Sequence, residues 1–385
     1  MTPEIRRGIR YCVTVFVGVR VLLFALGSVS IALFPPLKPV SVSGWPAQSL
    51  PSPGWANLFT VWERFDGLWF LRIAADGYRA TDGSAVFFPF YPLVIRAVSF
   101  AIGGHPFAAS LIVSNAAFLG ALIVLYFLTV TELSEEGARR TVLYISLFPT
   151  SFFFFAPYSE SLFLLCAVTS FWAARRQRWA LAGLAGALAA LTRNVGLILA
   201  PALAVEAVHQ RIERKGSALP GLAASAFVGL GTLSYMAYWG AKAGDWLAPV
   251  TRQTNWERVF SWPCATLTQG TRLAFRYIGN TSGGYWLIDW LIVVPMLAAG
   301  VYGLFHLRPS YGVYVWGGLL APLSFIFEGR PLMSMPRFVL PLFPLFWAIA
   351  DATLGKRVPH VAVVAVGGVG LGLLTVLFVN WYYIF

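Results

Sequence analysis

"FPFYPLVIRAVSFAIGG", residues 88–104, is the stretch whose reading decides the topology of this chain. It is apolar enough to pass for a membrane span, but it is short and contains Pro89, Pro92 and Arg96. The loops around it settle the choice. Short basic loops face the cytoplasm. Six are present: "EIRRGIR" at 4–10, "RR" at 139–140, "RRQR" at 175–178, "HQRIERK" at 209–215, "HLR" at 306–308 and "GKR" at 355–357. One alternating path keeps all six on the same side, provided that 88–104 does not cross. The stretch is therefore read as an amphipathic helix along the outer interface, with an apolar face in the acyl boundary. The same path leaves the C-terminus outside, with "NWYYIF" (380–385) as an aromatic anchor.

The composition supports a membrane setting. Of 385 residues, 58% are hydrophobic and 11% charged, against roughly 25% charged in soluble domains. With spans of about 20 apolar residues, fewer where broken, about eleven are expected: 9–34, 107–131, 141–157, 158–174, 179–193, 194–208, 217–242, 286–305, 311–327, 338–354 and 361–385. The first basic segment and the apolar run to Phe34 lack a small-residue cleavage site and read as the first span, not a secretory signal. The expectation is an all-α polytopic membrane protein of one domain. It has a long external loop with juxtamembrane helices (35–106), a helix module (107–208), a second external loop (243–285) and C-terminal helices (286–385).

The net charge of +12 is spread over short loops, which is how topology is set; it does not point to nucleic acid. Arginine dominates, with lysine only at Lys38, Lys215, Lys242 and Lys356. This bias is associated with a GC-rich, bacterial source, and it supplies planar forks suited to phosphate. Cys12, Cys166 and Cys264 have no pairing or metal spacing. His105, His209, His306 and His360 are scattered, so no zinc site is expected.

The first external loop contains "WERFDGLWFLRIAADGY" (62–78), which sets Glu63, Arg64, Asp66, Arg72 and Asp76 among aromatic residues. A carboxylate beside the membrane serves as a general base when held near an acceptor hydroxyl. Asp66 is the candidate, with Glu63 one helical turn earlier as its rival. The competing reading is an interfacial helix with solvated charges. Other polar pieces fall on the same outer side: "YSES" (158–161), "TRN" (192–194), "GDWLAPVTRQTNWER" (244–258) and "EGRPLMSMPR" (328–337). "TRN" interrupts the apolar run 179–208. As one helix, that run would put Arg193 near the bilayer centre, at about 2.5–3.5 kcal/mol on insertion scales. Two short helices bring it to an outer end, and broken helices are tolerated beside a cavity.

Each candidate has a plainer reading. Glu160 follows Pro157 at a helix start, where Ser159 can cap and an acid suits the helix dipole. Arg193 and Arg337 match phosphate oxygens bidentately, or form structural ion pairs or snorkel. Gln253, Trp256 and Arg258 suit a sugar by stacking and hydrogen bonding, or lie on an amphipathic surface helix.

Taken together, "WERFDGLWFLRIAADGY", "FFPFYPLVIR", "FPTSFFFFAPYSESLF", "ALAALTRNVGL" and "SMPRFVLPLFPLFWAIA" resemble the PIG-V-like mannosyltransferases. The resemblance implies a GT-C-type fold and transfer from a polyprenyl-phosphate-mannose donor to a glycolipid, glycan or protein acceptor outside the membrane. It also implies inversion at the sugar. No cofactor is required; the outer-side carboxylates could bind a divalent metal, but none is expected. The family's first-loop "WD" is "WERFD" here. Asp66 aligns with the family's acid because the text after it matches, and Glu63 stays as rival. Arg193, Asn194 and Arg337 would then hold the donor phosphate and sugar. Tyr158 and Glu160 would orient donor or acceptor, and Gln253, Trp256 and Arg258 would line the acceptor side. A lipid or solute transporter, or a non-catalytic subunit of a glycosylation complex, are the alternatives. A transporter would place its polar groups near the midplane, often with an internal repeat, and no such repeat is evident.

Overall fold

The computed structural model of the chain describes residues 2–34, 54–213, 216–280 and 284–382. The early part of the expected first external loop (35–53), Lys215 and the end of the expected aromatic anchor (383–385) lie outside these. In chain order the helices are α1 (Pro3–Leu33), α2 (Asn57–Thr60), α3 (Asp66–Asp76), α4 (Phe90–Ala101), α5 (Pro106–Glu132) and α6 (Glu135–Leu147). They continue with α7 (Glu160–Arg175), α8 (Trp179–Ala190), α9 (Leu199–Ile212), α10 (Leu219–Ala243), α11 (Ala248–Thr251) and α12 (Pro263–Arg276). The last are α13 (Gly284–His306), α14 (Pro309–Leu323), α15 (Met335–Phe338), α16 (Phe343–Thr353) and α17 (Arg357–Val379).

Six helical runs among the described residues are long and apolar enough to cross a bilayer: α1, α5, Asn194–Ile212, α10, α13 and α17. The chain is an integral membrane protein built from helices. The count of about eleven spans does not follow from helix length. Segments expected at 141–157, 158–174, 179–193, 311–327 and 338–354 hold helices of 13, 16, 12, 15 and 11 residues. At 1.5 Å per residue these reach only about 16–24 Å. α4, over the stretch 88–104, has 12 residues. It buries Tyr91, Pro92, Ile95 and Ser99 on one face and exposes Leu93 and Phe100.

A further difference concerns the end of one expected span. The expected span 311–327 stops at Leu323, and Phe325–Phe327 is a strand, β2. It pairs antiparallel with β1 (Arg258–Phe260), Arg258 opposite Phe327. Pro322 sits in the last turn of α14. The backbone groups that leave the helix must find partners in a water-poor setting, and the loop between α11 and α12 supplies them.

The chain forms two compact units, with boundaries inside α7 and at the end of α16. In the first (residues 1–168 and 353–384), α1, α5, α6 and α17 pack together. At one end three basic loops meet. The Tyr11 hydroxyl donates to the Arg139 carbonyl at 3.0 Å, Arg140 bonds the Thr353 carbonyl, and Tyr144 pairs with His360 at 2.8 Å. Mid-way along α1, Arg20 is buried. Its Nε donates to Asn115 Oδ1 at 2.6 Å and its Nη2 to the Phe154 carbonyl at 3.0 Å, while its guanidinium stacks over Phe118.

In the second unit (169–352), α8 lies against α10 through small residues. A Cβ at Gly186 would fall 2.5 Å from Val228 Cγ2, and one at Gly231 2.6 Å from the Ala187 carbonyl oxygen. Such stripes let backbones approach closely where dispersion drives association. At one end of this unit the other three basic loops meet around buried Glu206. It accepts from Arg175 (3.1 Å), Gln210 (2.8 Å) and Ser310 (2.6 Å), with Arg308 Nε 3.5 Å away. Arg308 also bonds Glu213 at 3.0 Å. Within each unit, the loops grouped by charge in the sequence are grouped in space.

Candidate functional site

In the first unit, the end opposite the basic loops gathers residues 61–70, the start of α7 and the end of α17. Trp62 is fully buried, its ring 4.5 Å from that of Phe155. It fits because α1 carries Gly27 beneath it; a Cβ there would lie 3.1 Å from the indole. Arg64 is buried too. Its Nε donates to the Val379 carbonyl at 3.0 Å, its Nη1 to the Thr60 and Glu63 carbonyls at 3.0 and 3.1 Å, and its guanidinium lies 4.4 Å over the Trp381 ring. Burial pushes this guanidinium down to about 9, and the charge of Glu63 opposes the shift.

Phe65 then turns the chain with φ +49° and ψ −125°. This region is rarely populated by a residue with a side chain, and costs of order 1–3 kcal/mol unless the surroundings over-determine it. Here they do, with Phe378 and Trp381 rings 5.7 and 5.2 Å from the Phe65 ring. The turn delivers Asp66 as the first residue of α3, half-buried, where the helix dipole favours negative charge. Glu63 is half-buried before the turn. Gly67 packs on the next element: a Cβ would meet Pro157 Cγ at 3.1 Å. The neighbouring Tyr158 hydroxyl donates to the Arg64 carbonyl at 3.0 Å.

Glu160 opens α7 with no exposed surface. Beside it, the Tyr91 and Ser114 hydroxyls are 2.7 Å apart, and Ser114 donates to the Tyr158 carbonyl at 3.3 Å. Burial raises the Tyr91 hydroxyl well above the usual phenol range; its bond to Ser114 opposes this and Glu160 adds to it. Behind α3, Arg72 pairs with Asp82 at 2.5 Å and lies over Trp69, which stacks on Phe87. Burial pushes the Asp82 carboxyl up, but the bonds from Arg72 and Ser84 outweigh it and hold it below the usual range. Of the charges in 62–78, Arg64 and Arg72 thus hold the loop together, and Asp76 pairs with Arg79 at the surface.

In the second unit, the break at "TRN" is present. Arg193 is extended between α8 and a 3-10 turn at Asn194–Ile198. The reversal is so tight that a Cβ at Gly196 would fall 2.4 Å from the Ala189 carbonyl. Arg193 is buried, 5.4 Å over the Phe338 ring, so it stands beside the segment that carries Arg337. Asn194 is exposed, and its Oδ1 accepts from the Val195 amide at 2.8 Å. Arg337 is half-buried in α15, which follows Ser334 in the left-handed region. Arg258 donates to Ser334 Oγ at 2.9 Å, which ties the 244–258 loop to the 328–337 loop. Gln253 and Trp256 lie on the 3-10 turn just before β1, both half-buried. The loop is braced from α13: Arg330 makes two bonds to buried Asp289, at 2.6 and 2.8 Å, and Trp286 donates to the Gly329 carbonyl.

The sequence profile described as Mannosyltransferase (PIG-V) matches residues 9–214, more than half of the chain. The chain belongs to the PIG-V mannosyltransferase family. No curated protein matches it. Among solved structures it is similar to ArnT from Cupriavidus metallidurans bound to undecaprenyl phosphate, with 16% identity, TM-score 0.46, and 88% of this chain and 60% of that one covered. It is also similar to the Archaeoglobus fulgidus oligosaccharyltransferase with zinc and sulfate, with 13% identity, TM-score 0.41, and 94% and 53% covered. A third, AglB from the same organism with an inhibitory peptide and a dolichol-phosphate, gives 11% identity, TM-score 0.42, and 96% and 56% covered. The chain spans between about half and three fifths of the length of these structures.

Within this PIG-V-family chain, Glu63, Asp66, Tyr158, Glu160, Arg193 and Asn194 fall inside the matched stretch, whereas Gln253, Trp256, Arg258 and Arg337 fall beyond it. The first unit brings Glu63, Asp66, Tyr158 and Glu160 to one end. The second brings Arg193 to the Arg337 segment, and Arg258 to that same loop. Sequence reasoning gave Arg64, Asp289 and Arg330 no partner and read Trp381 only as part of an aromatic anchor. A buried aspartate and an arginine 41 residues apart leave no local signal; only the presence of an acid inside an apolar helix hinted at a partner. Among the described residues, no group of three or more His, Cys, Asp and Glu side chains is placed to hold a metal ion.

Proposed function

We propose that the chain is an inverting mannosyltransferase. It moves mannose from a polyprenyl-phosphate-mannose donor to a hydroxyl of a lipid-linked or cell-envelope acceptor on the outer face of the membrane. Family membership supports the sugar, and the seat of Asp66 carries the mechanism: a half-buried carboxylate at a helix start, held by a strained turn. Asp66 accepts the acceptor's proton as its oxygen attacks the anomeric carbon. The bond from that carbon to the phosphate oxygen breaks on the opposite face, which inverts configuration, and the polyprenyl phosphate leaves as an anion. Arg193 and Arg337 stabilise the phosphate charge, and Asn194 bonds the donor sugar. A phosphate leaving group needs no general acid, and the two guanidinium groups supply its counter-charge, so no resident metal is expected. Buried Tyr158 acts through the Arg64 carbonyl it grips, buried Glu160 backs it beside Tyr91 rather than touching the sugar, and Gln253, Trp256 and Arg258 line the acceptor side.

The test is donor choice. The purified protein in lipid nanodiscs is given polyprenyl-phosphate-mannose or a nucleotide-linked mannose, with a membrane-lipid extract as acceptor, with and without a chelator. Transfer from the lipid-linked donor alone, unchanged by chelation, is expected. Transfer from the nucleotide sugar, or from neither donor, overturns the reading.

A further inference from the structure

We infer that the end of α17, far beyond the family-matched stretch, is part of the catalytic apparatus, and that Arg64 and Trp381 are positioning residues which set the turn presenting Asp66. The inference rests on the reading of Asp66 as the base. Arg64 precedes the strained Phe65 by one residue and Asp66 by two. Its guanidinium is fixed at one edge by the Val379 carbonyl (3.0 Å), at another by Thr60 and Glu63, and on its face by the Trp381 ring. Trp381 has φ +67°, so two residues with side chains, Phe65 and Trp381, hold left-handed backbone and meet ring edge to ring face at 5.2 Å.

Two such turns opposite one another persist only where the packing over-determines them. Asn380, between the clamp residues, is itself pinned, donating to Ser30 Oγ of α1 at 2.5 Å and to the Val376 carbonyl at 2.8 Å. The carbonyl of Arg64 completes the frame by accepting from Tyr158. A carboxylate one residue past this frame inherits its position from it. A planar guanidinium does this in a way that an ammonium cannot, because it serves several acceptors and a ring face at once.

The experiment compares Arg64→Lys, Arg64→Gln and Trp381→Leu in nanodiscs by two readouts. The first is amide hydrogen exchange at residues 65–69. The second is kcat and KM for polyprenyl-phosphate-mannose. Trp381→Leu, which leaves the hydrogen bonds of Arg64 in place, is the milder variant should Arg64→Gln fail to fold. Faster exchange at 65–69 is expected in both, with kcat lowered about 10- to 100-fold, the scale of a roughly 1 Å misplacement of a reacting group. KM stays within about twofold, because the Arg64 guanidinium is taken up by backbone carbonyls and the Trp381 ring and the clamp acts on the turn that carries the base. Arg64→Lys does not restore kcat. Unchanged exchange, or changed exchange with unchanged kcat, overturns the inference. A wild type inactive with every lipid-linked sugar overturns the proposed donor instead, and the exchange comparison then decides the clamp alone.

Discussion

At the residue scale, one turn separates Asp66 from its rival Glu63. "WERFD" offers two acids three positions apart, and on a continuous helix they would share a face. The backbone does not run on as one helix, because Phe65 reverses it with φ +49°. Asp66 thus starts α3 while Glu63 belongs to the preceding turn. Gly67 sets how close Asp66 comes to the start of α7. A Cβ there would lie 3.1 Å from Pro157 Cγ and 3.4 Å from the Pro157 carbonyl oxygen, so the two elements would have to part by a few tenths of an ångström. Gly67→Ala is expected to lower transfer about tenfold or more, as small misplacements of reacting groups do, with little change in melting temperature. Equal losses of activity and stability would mean that the contact is general packing. The grip of Arg64 was not legible in the sequence. Its partner carbonyl lies 315 residues away, and backbone carbonyls carry no residue signature.

At the element scale, charge was the readable signal and helix length was not. "TRN" in an apolar run announced a break, and the structure breaks there, with Arg193 extended between two helices. The same logic failed for 311–327, where nothing in "APLSFIF" marks Phe325–Phe327 as a strand; its partner at 258–260 decides that. The basic loops were expected to face one side, but the acid that organises three of them was not foreseen. Glu206 is fully buried between Arg175 and Arg308. Its removal leaves two guanidinium groups without their shared counter-charge. Glu206→Gln is expected to destabilise the protein by about 3–5 kcal/mol, the usual cost of breaking a buried ion pair from one side. Thermal unfolding in nanodiscs checks this, and a shift near zero would place the cluster in water.

At the scale of the whole molecule, composition and the six basic loops were enough to give a helical membrane protein and a rule for which ends belong together. Within each unit the loops obey that rule, because Tyr11, Arg139, Arg140, Thr353 and His360 cluster in one, and Arg175, Glu206, Glu213 and Arg308 in the other. What helix length and composition leave open is the number of crossings, since helices of 11–16 residues do not reveal by length whether they traverse. The sidedness proposal has a direct check in the native cysteines. Cys12 and Cys166 are buried and Cys264, at the start of α12, is exposed. A membrane-impermeant maleimide added to intact cells is expected to label Cys264 and to lose its target in Cys264→Ser. Labelling only after the membrane is opened would put the second external loop on the cytoplasmic side.

The central claim is that the Asp66 carboxylate takes the acceptor's proton. Single-turnover transfer of mannose from polyprenyl-phosphate-mannose, by folded wild type, Asp66→Asn and Glu63→Gln, tests it most directly. The account predicts an inverted product from wild type and from Glu63→Gln, and a loss of about 10²- to 10⁴-fold in Asp66→Asn, the usual worth of a general base. An Asp66→Asn protein that transfers mannose at the wild-type rate would contradict it.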